Sequence, residues 1–332
     1  MTMLFNPNQT EFTSDVQRII WQFGTHIVPP EVSLADVEDE ETREGCMQIY
    51  DCTMEILADM YNHPEEYKEH PCWSVGGYLL LAVSGGKPMK KHSVIYADFL
   101  QRLPRFGFVC HEDTGVWSND RYPLLGEYLP RLEELAKTRK QNMGGYFGRL
   151  DFRLFAPRIK LTMEDLLRPL SDRDRVYALE IHNYAVSKGM KMEMKDPYMF
   201  RYTYKKIYSV ELHNNPFRVM VIYQLNNGKH VYDQFERFLA NAEQQPDADE
   251  LVRYIQGGIW VCTGCNGLHK ADKRCGKWLD IHGARRLASM CHPAISKYRR
   301  GTRNLAYLDE DIQMLMRMID IRLVQVDNFF AG

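Results

Sequence analysis

Four cysteines near the end of the chain, Cys262, Cys265, Cys275 and Cys291, stand in the pattern Cys-x2-Cys-x9-Cys-x15-Cys. Thiolates at such spacing close a tetrahedral shell around a zinc ion and leave no open position for a substrate. The spacing therefore predicts a structural zinc site. Gly264 inside the knuckle and Gly267 just after it allow the tight turns that aim backbone amides at a thiolate pair. His269, His282 and His292 lie among the cysteines and are alternate ligands for Cys275 or Cys291. An iron–sulfur cluster also takes four cysteines, and without metal Cys262 and Cys265 could cycle as a redox pair.

The same stretch is basic: residues 251–300 hold ten Lys and Arg against Asp272 and Asp280, a balance of +8. Lys270, Lys273, Arg274, Lys277, Arg285, Arg286, Arg299 and Arg300 are the candidate nucleic-acid contacts, with Trp278 and Tyr298 interleaved for stacking. The plainer account is that this charge offsets the negative charge of a metal tetrathiolate. Residues 1–70 are the opposite, with 15 Asp and Glu against Arg18, Arg43 and Lys68, a balance of −12. Such asymmetry suits a polyanion partner for the tail, contact between the two ends, or two oppositely charged solvated faces.

Cys46, Cys52, Cys72 and Cys110 are scattered among apolar residues and read as small core residues. Cys110 with His111 would be a nucleophile and base only if folding brought their side chains together. Adjacent residues on a strand point to opposite faces, so a polar turn is the simpler reading. The chain contains no GxGxxG, no GxxxxGK followed by Ser or Thr, no HExxH and no GxSxG. Nucleotide loops, zincin-type proteases and the hydrolase elbow thus lose their sequence support. A zinc deaminase wants His-x-Glu ahead of Pro-Cys-x-x-Cys, whereas here Trp260-Val261 precedes the knuckle. Whether the protein is an enzyme stays open at this level.

A third candidate site comes from β patterning. Tyr198, Phe200, Tyr202 and Tyr204 alternate, as do Tyr208, Val210 and Leu212, then Phe217, Val219 and Val221 beyond Asn214-Asn215-Pro216. This predicts a three-stranded antiparallel meander. If one face of that sheet is left free by helices, Tyr198, Arg201, Tyr202, Tyr204 and Arg218 are the candidate lining of a small-molecule pocket.

The elements that must position these groups follow from periodicity. Met47, Tyr50, Met54, Leu57 and Tyr61 predict a helix over 39–62. Further helices are expected over 90–103, from Leu125, over 229–242, 247–255 and 309–324, and after Ser171 as an N-cap. SVGGYLLLAVSGGKP reads as a short buried segment and RLDFRLFAPRIKL as extended. A short hairpin is expected about Asp113-Thr114-Gly115. The segment from Lys90 to Asp120 could be a recognition helix and wing, with Lys90, Lys91, Arg102 and Arg105 on phosphates, but its surroundings are acidic.

The 332 residues, 45% apolar and 26% charged, suffice for two domains, divided at the glycine run around 145–149. The fold class expected is α+β: a mostly helical domain over 1–145 with an acidic start and a short hairpin, then an α+β domain over 149–332. In the second, helices cover an antiparallel sheet, and residues 260–293 form a zinc-knuckle-like insertion. No stretch nears the roughly 18 consecutive apolar residues of a membrane span, and the start lacks a signal-peptide layout, so a cytoplasmic protein with no membrane partner is expected.

With Cys262, Cys265, Cys275 and Cys291 before a last helix, residues 150–330 resemble uncharacterised bacterial proteins with a cysteine-rich tail. The resemblance implies a bacterial cytosolic α+β protein and carries no defined activity. The leading expectation is a zinc-containing protein that binds a small molecule or a macromolecular partner. The alternatives are a nucleic-acid-associated regulator using the basic segment, and an enzyme with a Cys/His or CxxC redox centre.

Overall fold

In a computed structural model describing residues 5–67, 72–139, 146–214, 217–225, 231–259, 277–288, 293–297 and 306–331, the chain divides into two compact units, Met1–Pro169 and Leu170–Gly332. The glycine run does not end the first unit, because Phe147 within it and Leu150, Phe152 and Leu154 beyond it are buried in that unit's core. The fold is mixed α+β with a helical N-terminal part.

The first unit contains α1 (Asp15–Gly24), α2 (Pro30–Ser33), α3 (Glu40–Asn62), α4 (Val75–Ser84) and α5 (Ser93–Arg102). A hairpin of β1 (Phe108–His111) and β2 (Val116–Asn119) follows, then α6 (Leu125–Thr138) and α7 (Met163–Leu167). The apolar stripe of α3 is broader than one face: Cys46, Ile49, Cys52, Ile56 and Leu57 are all buried. The reason is that α1 and α6 both pack against it. A Cβ on Gly45 would sit 2.4 Å from the Tyr128 ring, so only glycine lets α3 and α6 approach this closely.

The segment RLDFRLFAPRIKL is not extended; it contains a 3-10 turn at Phe152–Phe155. Asp151 opens the turn by accepting from the Arg153 backbone N–H at 3.1 Å. The same carboxylate takes the Arg153 guanidinium at 2.8 and 2.6 Å, and Asp165 takes it at 2.5 Å. This buried triad ties the turn to α7 and overrides the strand pattern.

The second unit opens with α8 (Asp172–Ser187), whose N-cap Ser171 accepts from the Asp174 backbone N–H at 3.1 Å. Strands β3 (Lys191–Asp196), β4 (Met199–Tyr204), β5 (Ile207–Asn214) and β6 (Phe217–Ile222) come next. After α9 (Val231–Glu243) and α10 (Ala248–Gly258) follow β7 (Lys277–Ile281), β8 (Ala284–Ala288), β9 (Ala294–Ile295) and α11 (Asp309–Ala331).

The expected three-strand meander is the middle of a five-stranded sheet ordered β3-β4-β5-β6-β9, while β7 and β8 form a separate hairpin. Every pairing in the larger sheet is antiparallel. The missed strand β3, KMEMKD, is made of good helix formers, and its pairing with β4 decides its conformation. On α8 the buried row is Tyr177, Ala178, Ile181 and Ala185, whereas Val176 and Val186 are exposed.

Two helices cover one face of the sheet. Tyr202, fully buried on β4, meets His182 of α8, and α11 packs on β5 and β6. No helix among the described residues is long and apolar enough to cross a membrane.

Candidate functional site

Because side chains alternate along a strand, the register of the central strands fixes what shares the sheet's other face. Met199 pairs with His213 and His213 with Arg218, making one row across β4, β5 and β6. Arg201 pairs with Glu211 and Glu211 with Met220, making the next. An irregularity at Tyr202/Thr203 then brings Tyr208 opposite Thr203, so Tyr208 joins the face of Arg201 and Glu211. Ile222 of β6, two residues beyond Met220, pairs with Ala294 of β9.

These residues line a cleft of about 420 Å³, bounded by Met199, Arg201, Tyr208, Glu211, His213, Arg218, Met220, Ile222, Gln224 and Pro293. Such a volume lies within the range of small-molecule sites. Two guanidinium groups, one imidazole and one carboxylate line it.

Glu211 is its polar centre. Its side chain is 7% exposed, with Arg201 Nε 3.5 Å from one carboxylate oxygen and His213 Nε2 3.1 Å from the other. Burial by itself raises the Glu211 pKa, but His213, Tyr208 and Arg201 together outweigh it and hold the carboxyl below its usual value. His213 moves down too: burial comes first, the Glu211 contact opposes it, and the Arg218 and Arg201 charges push the same way as burial. The imidazole is therefore neutral near pH 7, poised beside two cations. Arg201 also lies over the Tyr208 ring at 5.1 Å, and burial followed by the Glu211 charge drives the Tyr208 phenol far above its ordinary pKa.

Behind the cleft floor lies a second feature with no sequence signal of its own. Arg322 on α11 is fully buried. Its Nη2 donates to the backbone carbonyls of Tyr208 at 2.9 Å and Gln224 at 2.6 Å, both cleft residues. Nε and Nη1 donate to Ser209 Oγ at 3.3 Å and Gln325 Oε1 at 2.6 Å. All four acceptors are neutral, and burial pulls the guanidinium pKa down to about 9. At neutral pH it remains a cation, and it adds positive potential from below the cleft.

Of the candidate ligand residues, the structure brings Arg201 and Arg218 together in the cleft. Tyr202 lies on the helix-covered face, its hydroxyl 2.9 Å from His182 Nδ1. Tyr204 shares that face by alternation, with Lys205 Nζ 5.6 Å above its ring. Tyr198 is half-buried in the turn between β3 and β4. Sequence reasoning missed Tyr208, Glu211, His213, Met220 and Gln224. Its signal was available: Glu211 and His213 interrupt an apolar strand at alternate positions, and the antiparallel pairing of β5 with β6 sets them opposite Met220 and Arg218.

Cys262, Cys265, Cys275, Cys291, His269 and His292 lie outside the described residues, as do Lys270, Lys273, Arg274, Arg299 and Arg300. His282, at the β7–β8 turn, has Nε2 2.8 Å from Glu243. Arg285 lies 5.0 Å over the exposed Trp278 ring on the same hairpin, with Arg286 next along β8 and Lys277 at the start of β7. Among the described residues no group of three or more His, Cys, Asp or Glu side chains is arranged to hold a metal ion.

Cys46, Cys52 and Cys72 are buried as expected. Burial raises all three thiols, Cys46 and Cys72 to about 12, which makes them poor nucleophiles. Cys110 departs from that expectation and is exposed on β1. His111 turns to Ser118, its Nε2 2.8 Å from the hydroxyl, so the two neighbours do not form a nucleophile–base pair. Arg102 and Arg105, weighed as phosphate contacts, both bind Glu66, at 2.6 and 2.9 Å.

No family model, curated protein or solved structure matches this chain.

Proposed function

We propose that the second unit binds a small organic anion in the cleft formed by β4, β5, β6 and Pro293. One observation carries this reading: Arg201, Arg218 and His213 converge with a single carboxylate, Glu211, in a cleft of about 420 Å³. The buried Arg322 beneath it adds a cation bonded only to neutral oxygens. An anion entering such a site gains attraction from a partly desolvated cationic wall.

The test is thermal unfolding of the full chain with acetate, benzoate or inorganic phosphate, against sodium chloride at equal ionic strength. A ligand that binds the folded state raises the midpoint, by a stabilisation that grows with the logarithm of one plus its concentration over Kd. At least one of the three anions should raise it, and the double variant Arg201→Gln/Arg218→Gln should remove the rise. Equal midpoints in all four salts overturn the reading.

A structural zinc ion on Cys262, Cys265, Cys275 and Cys291 is the second proposal, supported by their spacing and by the described residues that flank them. Ile259, shortly before Cys262, bridges to Ile295, shortly after Cys291. Lys277, two residues after Cys275, pairs with Ala288. Partners in an antiparallel ladder lie about 5 Å apart, so the stretches bearing the cysteines depart from neighbouring anchor points. Elemental analysis should find one zinc per chain, lost in Cys275→Ser. Iron with sulfide would replace zinc by a cluster, and absence of metal from the native protein would sink both.

A further inference from the structure

The cleft is not uniform along its length. At one end stand Arg218 and His213 in one row, with Arg201 and Glu211 in the next. At the other, Met220, Ile222 and Ala294 form an apolar cluster against which Tyr208 packs, with Pro293 beside it. Met220 and Ile222 are almost wholly buried and present only an apolar edge to the cleft. An ion placed against these side chains would lose its hydration to groups that carry no charge or hydrogen-bonding atom. The cationic end therefore takes the head of a ligand, and the apolar end takes a body with no charge of its own.

We infer that the ligand of this cleft is an amphipathic monocarboxylate: a carboxylate head between Arg201, His213 and Arg218, and a short aryl or alkyl body over Met220, Ile222 and Pro293. This deepens the anion-binding reading and rests on it. Two observations select the class. The planar guanidinium groups match a carboxylate fork. The buried Glu211 in the second row rejects a second negative charge, which would otherwise lie beside it or on the apolar wall. A dicarboxylate or an inorganic phosphate dianion fits neither end as well. The body is limited in size, because about 420 Å³ lies near the lower bound of small-molecule sites.

The experiment is isothermal titration of the full chain at pH 7 with five probes: acetate, succinate, inorganic phosphate, 3-phenylpropionate and the neutral isostere 3-phenylpropionamide. The expected result is that 3-phenylpropionate binds at least tenfold more tightly than each of the other four. Arg201→Gln should then weaken 3-phenylpropionate tenfold or more. Ile222→Ala should weaken it several-fold while leaving acetate unchanged. Arg201 is half-exposed, so its variant keeps the core intact, and the five-probe comparison on the native chain stands even if Ile222→Ala folds poorly. Binding of acetate as tight as that of 3-phenylpropionate overturns the apolar body, and binding of succinate or phosphate as tight overturns the single carboxylate; either result overturns the amphipathic-monocarboxylate inference and leaves the anion-binding reading standing. Equal binding of the amide overturns both, as does the absence of binding by every probe.

Discussion

Among the described residues each unit buries one arginine, and the two are treated in opposite ways. In the first unit, Arg153 lies between Asp151 and Asp165, whose side chains are only 4% and 7% exposed. Burial lowers the Arg153 pKa, but the two carboxylates more than reverse that and hold the guanidinium above its ordinary value. In the second unit, Arg322 has only carbonyl, hydroxyl and amide oxygens around its guanidinium, and burial wins. The first arrangement, with Arg168 3.7 Å from Asp165 as a second cation, balances its charges and fastens a turn. The second leaves a net positive charge under a cleft that carries two more guanidinium groups. A buried cation without a carboxylate is expensive as architecture alone, and an anion in the cleft would relieve it.

The largest break in this comparison is expected at Arg153. Arg153→Met strands the buried Asp151, leaves Asp165 to Arg168 and Thr162, and should destabilise the first unit by about 3–5 kcal/mol, read by urea unfolding. Anion affinity in the second unit should not change. Arg322→Met should cost less, about 1–3 kcal/mol, because it leaves neutral acceptors unpaired and also removes a desolvated charge. It should weaken anion binding measurably by titration calorimetry. If Arg153→Met weakens anion binding as much as Arg322→Met does, the contrast between the two arginines fails.

Ser171→Ala is a sharper control inside the second unit. It removes the cap of α8 and should cost about 1 kcal/mol while leaving the cleft's affinity unchanged.

The smallest effect is one of pH. The native state binds a proton at His213 less readily than the unfolded chain does. The contribution of His213 to stability is thus complete above its ordinary value of 6.5 and falls away as pH drops through the lower native pKa. Glu211, Arg218 and Arg201 are the charged groups that act on this imidazole. Its protonation adds a positive charge at the head of the cleft, so anion affinity should rise over the same interval. Parallel unfolding and titration curves between pH 7 and 5 check both directions, and His213→Asn should flatten each.

Much of this architecture could be read from local pattern. Ser171 as a cap, the Asp113-Thr114-Gly115 turn and the helix begun at Asp309 rest on neighbours within a few residues, where periodicity and capping chemistry act directly. β3 and the 3-10 turn at Phe152–Phe155 could not, because their conformations are set by a partner strand and by an ion pair to Asp165. Only part of the cleft was legible. Arg201 and Arg218 were visible as charges in β pattern, but tyrosines at 202 and 204 fell on the other face, where Tyr202 meets His182.

The sequence by itself determined that the chain is α+β, where most helices begin, and that its last third carries four cysteines at metal-ligand spacing among basic residues. Those are properties of composition and short-range order. The tertiary structure alone decided that Glu211, His213, Arg201 and Arg218 share one face, and that Arg322, more than a hundred residues after Tyr208, lies beneath it. Register across strands and the docking of a distant helix are long-range choices, fixed by how whole faces pack.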